Sequence, residues 1–428
     1  MAKTRKSIAL ILSFILLAAA CVMPAPAAAA STVTLPGNLK TVPAQAFYGD
    51  TSLSAVVIPE GVTSIGSKAF ANSSVKTLTL PASLKSIASD AFSGTKITKV
   101  NAKAGTYAYK WGRKKGYITE YRALLIGEKT FLNYNWFFGY SLDITNRNVG
   151  DVDHMAAMLK KVKGPKGGKY AVTKKTDQLY GQIEALIKST FQDTMDQDVS
   201  LFFIATHGYS GGDGDLSMPF VGDIDSADDI EEWYGQPDLP FSDLASWLKQ
   251  YVKGEVIVII ESCGAGSAIY SPSEQNGRPV LKANSGYDEK AFTEKAVAAF
   301  SAADPGLVIP EANTGAYLEE GLQPNSTGDL RIKKFYVLAA ARHGEDSWGH
   351  EGGDPGNYFT DWLLEGIGTA NNSPADVSPK DQYLTLNELF TYVKKYDSHA
   401  FYTSSGGPYY QHVQRYPVNS SYKMFSFK

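Results

Sequence analysis

The sequence predicts an α/β protein in which a mostly parallel sheet is flanked by helices and preceded by a short solenoid of stacked repeats. Three observations lead there. Residues 35–100 repeat themselves every 22 to 23 residues. From Arg122 onward, short apolar runs alternate with amphipathic stretches whose apolar positions fall three and four apart. Two of those runs, "SLFFIA" and "VIVII", are continuously apolar, as expected of strands buried on both faces.

The 428 residues allow two or three domains. A net charge of -3 offers no broad basic surface, so nucleic acid is not an expected partner. At the start, Lys3, Arg5 and Lys6 precede the apolar "IALILSFILLAAA" and the small-residue run "PAPAAAAS". That order is the pattern of a secretory signal peptide over residues 1–30, with the mature chain beginning near Ser31. No later stretch reaches the roughly 18 apolar residues that a spanning helix needs, so no membrane span is expected. The expected location is outside a bacterial cell, secreted or on the cell surface, with lipid anchoring through Cys21 as the lesser alternative. Cys263 is then the only cysteine of the folded chain, and it has no partner for an internal disulfide.

The repeats come first. The Ala-Phe pairs Ala46-Phe47, Ala69-Phe70 and Ala91-Phe92 recur in register, and each unit carries one short strand ("SAVVI", "KTLTL", "ITKV"). A period in the twenties means a stack in which each unit buries its apolar edge on its neighbours. These units resemble the BspA-type leucine-rich repeat of bacterial surface proteins, and "GTYAYKWGRKKGY" is similar to that family's end cap. A module over 31–118 is expected that docks the chain to a substrate, a partner or a host or bacterial surface protein, with a spacer or a chaperoning pro-segment as the alternative. The repeats hold no nucleophile, which leaves chemistry to residues 119–428.

There, strands are expected at 123–127, 169–174, 200–208, 255–262 and 335–341. Helices are expected in "GDVDHMAAMLKKVKG", "QLYGQIEALIKSTFQDT" and "FSDLASWLKQYVKG". "YLTLNELFTYVKKY" predicts a last helix, begun by Thr385 with Glu388 three residues on, and "SSYKMFSF" an added edge strand. In parallel sheets working residues gather beyond the carboxyl ends of the strands. One strand ends in Thr206-His207-Gly208 and another in Glu261-Ser262-Cys263-Gly264, which the sheet brings together; "RHGEDSW" keeps His343 as a competitor to His207.

A thiolate attacks carbonyls, and a nearby histidine takes or shares the thiol proton and later gives one to the leaving amine. Backbone N–H groups of a glycine-rich turn suit the oxyanion. His154 falls in a helix, and His350, His399 and His412 fall in loops or helix ends, which makes His207 the expected partner of Cys263. No pair of histidines has the spacing of a catalytic zinc site, and no cofactor is expected.

"FFIATHG" followed by "VIIESCGAGS" resembles the His-Gly and Cys strands of the caspase and legumain clan of cysteine peptidases. "TNRNVGDVDHMAAML" is similar to a caspase segment, and "FYVLAAARHGEDSWGH…GNYFTDWLLEGI" to the legumain strand and helix that follow the nucleophile. The likeness runs over about residues 122–397, in order. It implies a caspase-like domain with Cys263 as nucleophile, His207 as general acid and the amides of Gly208 and Cys263 as oxyanion site. It further implies a pocket for the residue before the scissile bond, made by Glu261, Arg147, Asn357 and Ser347. A structural ion pair with Asp151 or Asp153 is the other role open to Arg147. Such a pocket favours Asn, or Asp at low pH, over Arg or Lys.

The acidic stretch 209–240 reads as a solvated rim or lid, and 270–334 as the region of autocleavage. The sequence thus points to a secreted cysteine endopeptidase with a docking module. The alternatives are a surface adhesin with an inactive caspase-like scaffold and a ligase that passes the same acyl-enzyme to an amine.

Overall fold

The computed structural model describes residues 31–135, 139–144, 146–210, 216–218, 239–268, 334–342, 345–350, 356–369, 372–377, 379–403, 406–417 and 420–428. The expected leader with Cys21, most of the expected rim at 209–240, nearly all of the 270–334 segment with its expected helix and cleavage region, and His343 lie outside them. Two compact units meet in sequence between Ile118 and Thr119.

In the first unit, strands β1 (Ser31–Thr34), β2 (Leu53–Val57), β3 (Thr77–Thr79) and β4 (Lys99–Asn101) stack in parallel, with Ala55, Thr77 and Lys99 in register. A second ladder joins Thr41–Val42, Ser64–Ile65 and Ser86–Ile87. The repeat length puts each Phe above the last. Phe47 stacks on Phe70 at 5.0 Å and Phe70 on Phe92 at 5.2 Å, and Trp111 follows Phe92 at 5.4 Å. Trp111 belongs to helix α1 (Tyr107–Lys114), whose start is capped by the Thr106 hydroxyl, an acceptor for Tyr109 N–H at 3.2 Å. Phe70 is fully buried in the middle of this ladder, so Phe70→Ala is expected to cost about 3–5 kcal/mol. Hydrogen exchange of residues 41–101 checks it, and protection equal to wild type would show that the ladder carries no weight.

The second unit is built on a six-stranded sheet, counted among the described residues. Its strands are β5 (Tyr121–Gly127), β6 (Ala171–Thr176), β7 (Val199–Ala205), β8 (Glu255–Glu261), β9 (Phe335–Ala339) and β10 (Gln414–Tyr416). The order is β6-β5-β7-β8-β9-β10, parallel except for β10, which runs antiparallel to β9. Helices α2 (Arg147–Lys161), α5 (Tyr358–Ile367) and α6 (Leu386–Lys394) cover one face, over Leu125, Phe203 and Ile259. Helices α3 (Tyr180–Phe191) and α4 (Phe241–Tyr251) cover the other, over Leu124, Phe202 and Val258. Neighbouring residues of a strand serve opposite faces, and both faces are covered, so "SLFFIA" and "VIVII" carry no polar alternation.

Three details depart from expectation. The strand of 200–208 ends at Ala205, because Thr206, His207 and Gly208 leave the ladder. The sheet edge beyond β9 is Gln414–Tyr416; the tail segment Lys423–Ser426 pairs with Tyr383–Thr385 in a separate two-stranded sheet. A hairpin, Thr130–Asn135 with Gly139–Ile144, follows β5 where the sequence predicts no strand. Helix α6 starts with the expected reciprocal bonds between Thr385 and Glu388.

Candidate active site

Parallel pairing of β7 and β8 sets Ala205 beside Glu261. Beyond the sheet Thr206 N–H still donates to Glu261 O at 3.0 Å, so His207-Gly208 and Ser262-Cys263 emerge side by side. The two turns touch at Gly208. A methyl group placed there would lie 2.2 Å from the Cys263 carbonyl oxygen. Only glycine allows the two backbones this close.

The Cys263 turn is held from the other side by the loop after β9. Gly264 N–H donates to Glu345 O at 2.7 Å, Gly266 N–H to Ala341 O at 2.7 Å, and Ser347 N–H to Cys263 Sγ at 3.2 Å. Cys263 is partly exposed. Burial pushes its thiol up to about 11; the Ser347 N–H pulls it down, and the Asp346 and Glu261 carboxylates push it further up. At neutral pH the sulfur therefore carries its proton. His207 is exposed.

Glu261 and Ser347 meet, but the Glu261 carboxylate is buried and occupied. One oxygen accepts the Ser347 hydroxyl, and the other accepts Thr360 N–H and the Thr360 hydroxyl, each at 2.9 Å. Asp151 accepts Asn357 N–H at 2.9 Å and the Asn357 side-chain amide, which also donates to Asn148 at 2.9 Å. Two buried carboxylates thus serve the first N–H groups of α5, where the helix dipole favours negative charge. Asp153 pairs with Lys174. Arg147 lies against Gly349: a methyl group on that glycine would be 2.5 Å from Arg147 Cδ and 2.7 Å from Asn357 Oδ1.

Burial lifts Glu261 from an ordinary 4.5 to about 7, and lifts Asp151 well above the usual carboxylate range, helped by the charge of Glu261. A raised carboxylate holds its proton better folded than unfolded. Its contribution is therefore fully favourable below pH 4.5 and lost as pH rises to about 7. Glu261→Gln keeps the shape without the charge. The variant is expected to match wild type near pH 4 and to exceed it by about 3 kcal/mol at pH 8, each tenfold change in proton affinity being worth about 1.36 kcal/mol. Urea unfolding at both pH values checks this. A difference that does not grow with pH would contradict it.

Residues with no signal in the sequence support the site. Gln411 is fully buried; it accepts Trp348 N–H at 3.0 Å and donates to Ala340 O at 3.1 Å and to the Ser347 hydroxyl at 3.3 Å. His412, expected in an undistinguished loop, is buried against Glu345, whose other oxygen accepts His412 N–H at 2.9 Å and Arg342 N–H at 3.0 Å. His350 bonds Asp361 at 2.7 Å. Gln411→Ala strands the Trp348 N–H and is expected to cost about 1–3 kcal/mol, with faster amide exchange at 345–348. Unchanged exchange there would mean the loop is held without Gln411.

Residues 27–110 match the family model described as the BspA type leucine-rich repeat region, in six copies. The N-terminal unit carries BspA-type leucine-rich repeats. Its register and its Phe ladder are those of one such stack. No curated protein matches the chain significantly. Among solved structures, a structural-genomics target from Geobacter sulfurreducens is 14% identical, over 71% of this chain and 97% of its own, at a TM-score of 0.38. Caspase-1 from Spodoptera frugiperda is 14% identical, over 69% of this chain and 88% of its own, at a TM-score of 0.35. Among the described residues no helix is long and apolar enough to cross a membrane, and no cluster of His, Cys, Asp and Glu has the form of a metal site.

Proposed function

We propose that the second unit is a cysteine endopeptidase of the caspase and legumain type, exported by the leader and docked by the leucine-rich repeats. One observation carries this reading: the backbone contact of Gly208 with Cys263, which puts a histidine turn and a lone thiol at neighbouring strand ends.

In this mechanism His207 takes the thiol proton as Cys263 Sγ bonds to the substrate carbonyl carbon. The carbonyl oxygen becomes an oxyanion that accepts from backbone N–H groups. Gly264 N–H is already given to Glu345, so the amides of Gly208 and Cys263 are the donors of this reading. The protonated His207 then donates to the departing amine as the C–N bond breaks, leaving a thioester. Water attacks the thioester, His207 takes its proton, and collapse of the intermediate releases the carboxylic acid and restores the thiol.

The residue before the scissile bond lies near Arg147, Ser347, Asn357 and Glu261 in this proposal. With Glu261 buried and holding its proton up to about pH 7, Arg147 is the dominant charge there, which favours Asn or Asp over Arg or Lys. The test is a panel of fluorogenic peptides with Asn, Asp, Arg or Lys in that position, alongside peptidyl acyloxymethyl ketones of the same sequences. Turnover with the label found on Cys263 supports the peptidase. An inert protein whose Cys263 escapes every label, also after limited proteolysis of 270–334, leaves the second unit as a scaffold.

A further inference from the structure

The charge of the chain is divided unequally between its units. Residues 31–118 hold eleven Lys and Arg against three Asp and Glu, a net +8; residues 119–428 hold 27 against 41, a net -14. Together with the +3 of residues 1–30 these give the total of -3, which conceals a basic module joined to an acidic one. Such asymmetry is a statement about partners rather than about fold.

The three acids of the repeats are used internally. Asp50 accepts from Ser52 N–H and hydroxyl at 2.9 and 2.7 Å, Glu60 from Ala82 and Ser83 N–H at 2.9 and 3.2 Å, and Asp90 from the Ser67 hydroxyl at 2.8 Å. Lys68 and Lys103 act electrostatically on Asp90 and Glu60, their charges helping these hydrogen bonds to hold those carboxyls below the ordinary range. The surplus also concentrates at one end. Residues 91–118 contain no acid, and Lys96, Lys99, Lys103, Lys110, Lys114 and Lys115 are all exposed. Helix α1 closes that end from one ladder to the other, since Val100 N–H donates to Tyr117 O and Ile87 N–H to the Tyr107 hydroxyl. Beside it the outer face of β3 and β4 offers Thr77, Thr79 and Asn101, with Asn101 donating to the Thr79 hydroxyl at 3.2 Å.

We propose that this lysine-rich end of the repeat stack, from Lys96 to Lys115, binds a linear anionic glycopolymer, a chain of sugar or polyol units carrying regular phosphate or carboxylate groups. Lysines are point charges on flexible stems and suit repeated, evenly spaced anions; the unit's only arginine, Arg113, is buried. The side chains of Thr77, Thr79 and Asn101 suit the hydroxyls of such a polymer. The aromatic ladder faces inward, and among the described residues of this unit the large exposed apolar side chains are Tyr48 and Tyr107, which offer neither a row of stacking rings for bases nor an apolar wedge for a bilayer. Nothing in this depends on the chemistry at Cys263.

The test uses the chain from Ser31 and the probe poly(glycerol phosphate), with neutral dextran, single-stranded DNA and phosphatidylglycerol vesicles as comparisons. The wild type is expected to bind poly(glycerol phosphate) more weakly as salt rises, and dextran not at all. Reversing Lys96, Lys99 and Lys103 to Glu, or Lys110, Lys114 and Lys115 to Glu, is expected to weaken binding by more than roughly a hundredfold, since loss of each lysine's charge near an anionic surface is worth about fivefold and the added carboxylates repel. The same reversal of Lys40, Lys68 and Lys85 is expected to act far less, and none of the three to change cleavage of short peptides. Equal losses in all three variants, tighter binding to DNA or vesicles, or no binding at low salt would each overturn the proposal.

Discussion

Cys263→Ala is expected to abolish peptide hydrolysis, by on the order of 10⁴-fold or more, and His207→Ala to lower it by about 10²- to 10⁴-fold. The difference follows from the two groups' tasks. Alanine in place of Cys263 removes the atom that bonds to the substrate, whereas loss of His207 leaves a thiol that water must deprotonate. Because burial holds that thiol near 11, almost none is ionised at pH 7. Raising the pH toward 10 supplies thiolate without the histidine. The His207→Ala variant is therefore expected to gain activity steadily from pH 7 to 10, while wild type levels off. Both side chains lie beyond the strand ends rather than in the sheet core, so both variants should unfold with wild type in urea. Values of kcat/KM across that pH range decide it. A His207→Ala variant with the wild-type profile would remove His207 from the chemistry even if Cys263 remained essential.

The second large effect is expected from a single methyl group. Gly208→Ala places a carbon 2.2 Å from the Cys263 carbonyl oxygen and 3.2 Å from both its carbonyl carbon and the Ser262 hydroxyl oxygen. Two of these three atoms are backbone, so no flexible side chain can yield. The turns must part, and the Gly208 amide moves away from the sulfur's target. Loss of one oxyanion donor costs about 10²- to 10³-fold in kcat, and overpacking of the contact adds about 1–3 kcal/mol of instability. The predicted signature is a fall in kcat with little change in KM and a lowered unfolding midpoint. Wild-type kcat in this variant would mean that the turns do not act together.

The parts of the site legible in the sequence share one property: they lie at the ends of continuous apolar runs. Thr206-His207-Gly208 and Glu261-Ser262-Cys263 could be placed together because a parallel sheet of doubly covered strands has one active edge, and "SLFFIA" and "VIVII" announce such strands. The repeats were legible for a similar reason, since a fixed period survives without knowledge of contacts. Gln411 and His412 had no such marker. They stand just before the antiparallel edge strand β10, and their partners, Ser347, Trp348 and Glu345, lie 63 to 67 residues earlier. The basic module was present in the sequence from the beginning, but a whole-chain charge averages it away; only the boundary at Ile118 shows what should be counted separately.

Local sequence by itself determined the strands and helices of the doubly covered core and where a thiol and a histidine stand relative to them, because periodicity is a property of neighbouring residues; the hairpin after β5 and the partner of the tail strand were not legible in it. The state of Glu261 was decided by tertiary structure alone. From the chain it is a carboxylate two residues before Cys263, with nothing to say whether it is open or enclosed. In the fold it is enclosed between Ser347 and the first turn of α5, 86 and 99 residues away. Burial there costs the charged form more than its hydrogen bonds return, so the group holds a proton and binds the helix rather than a cation.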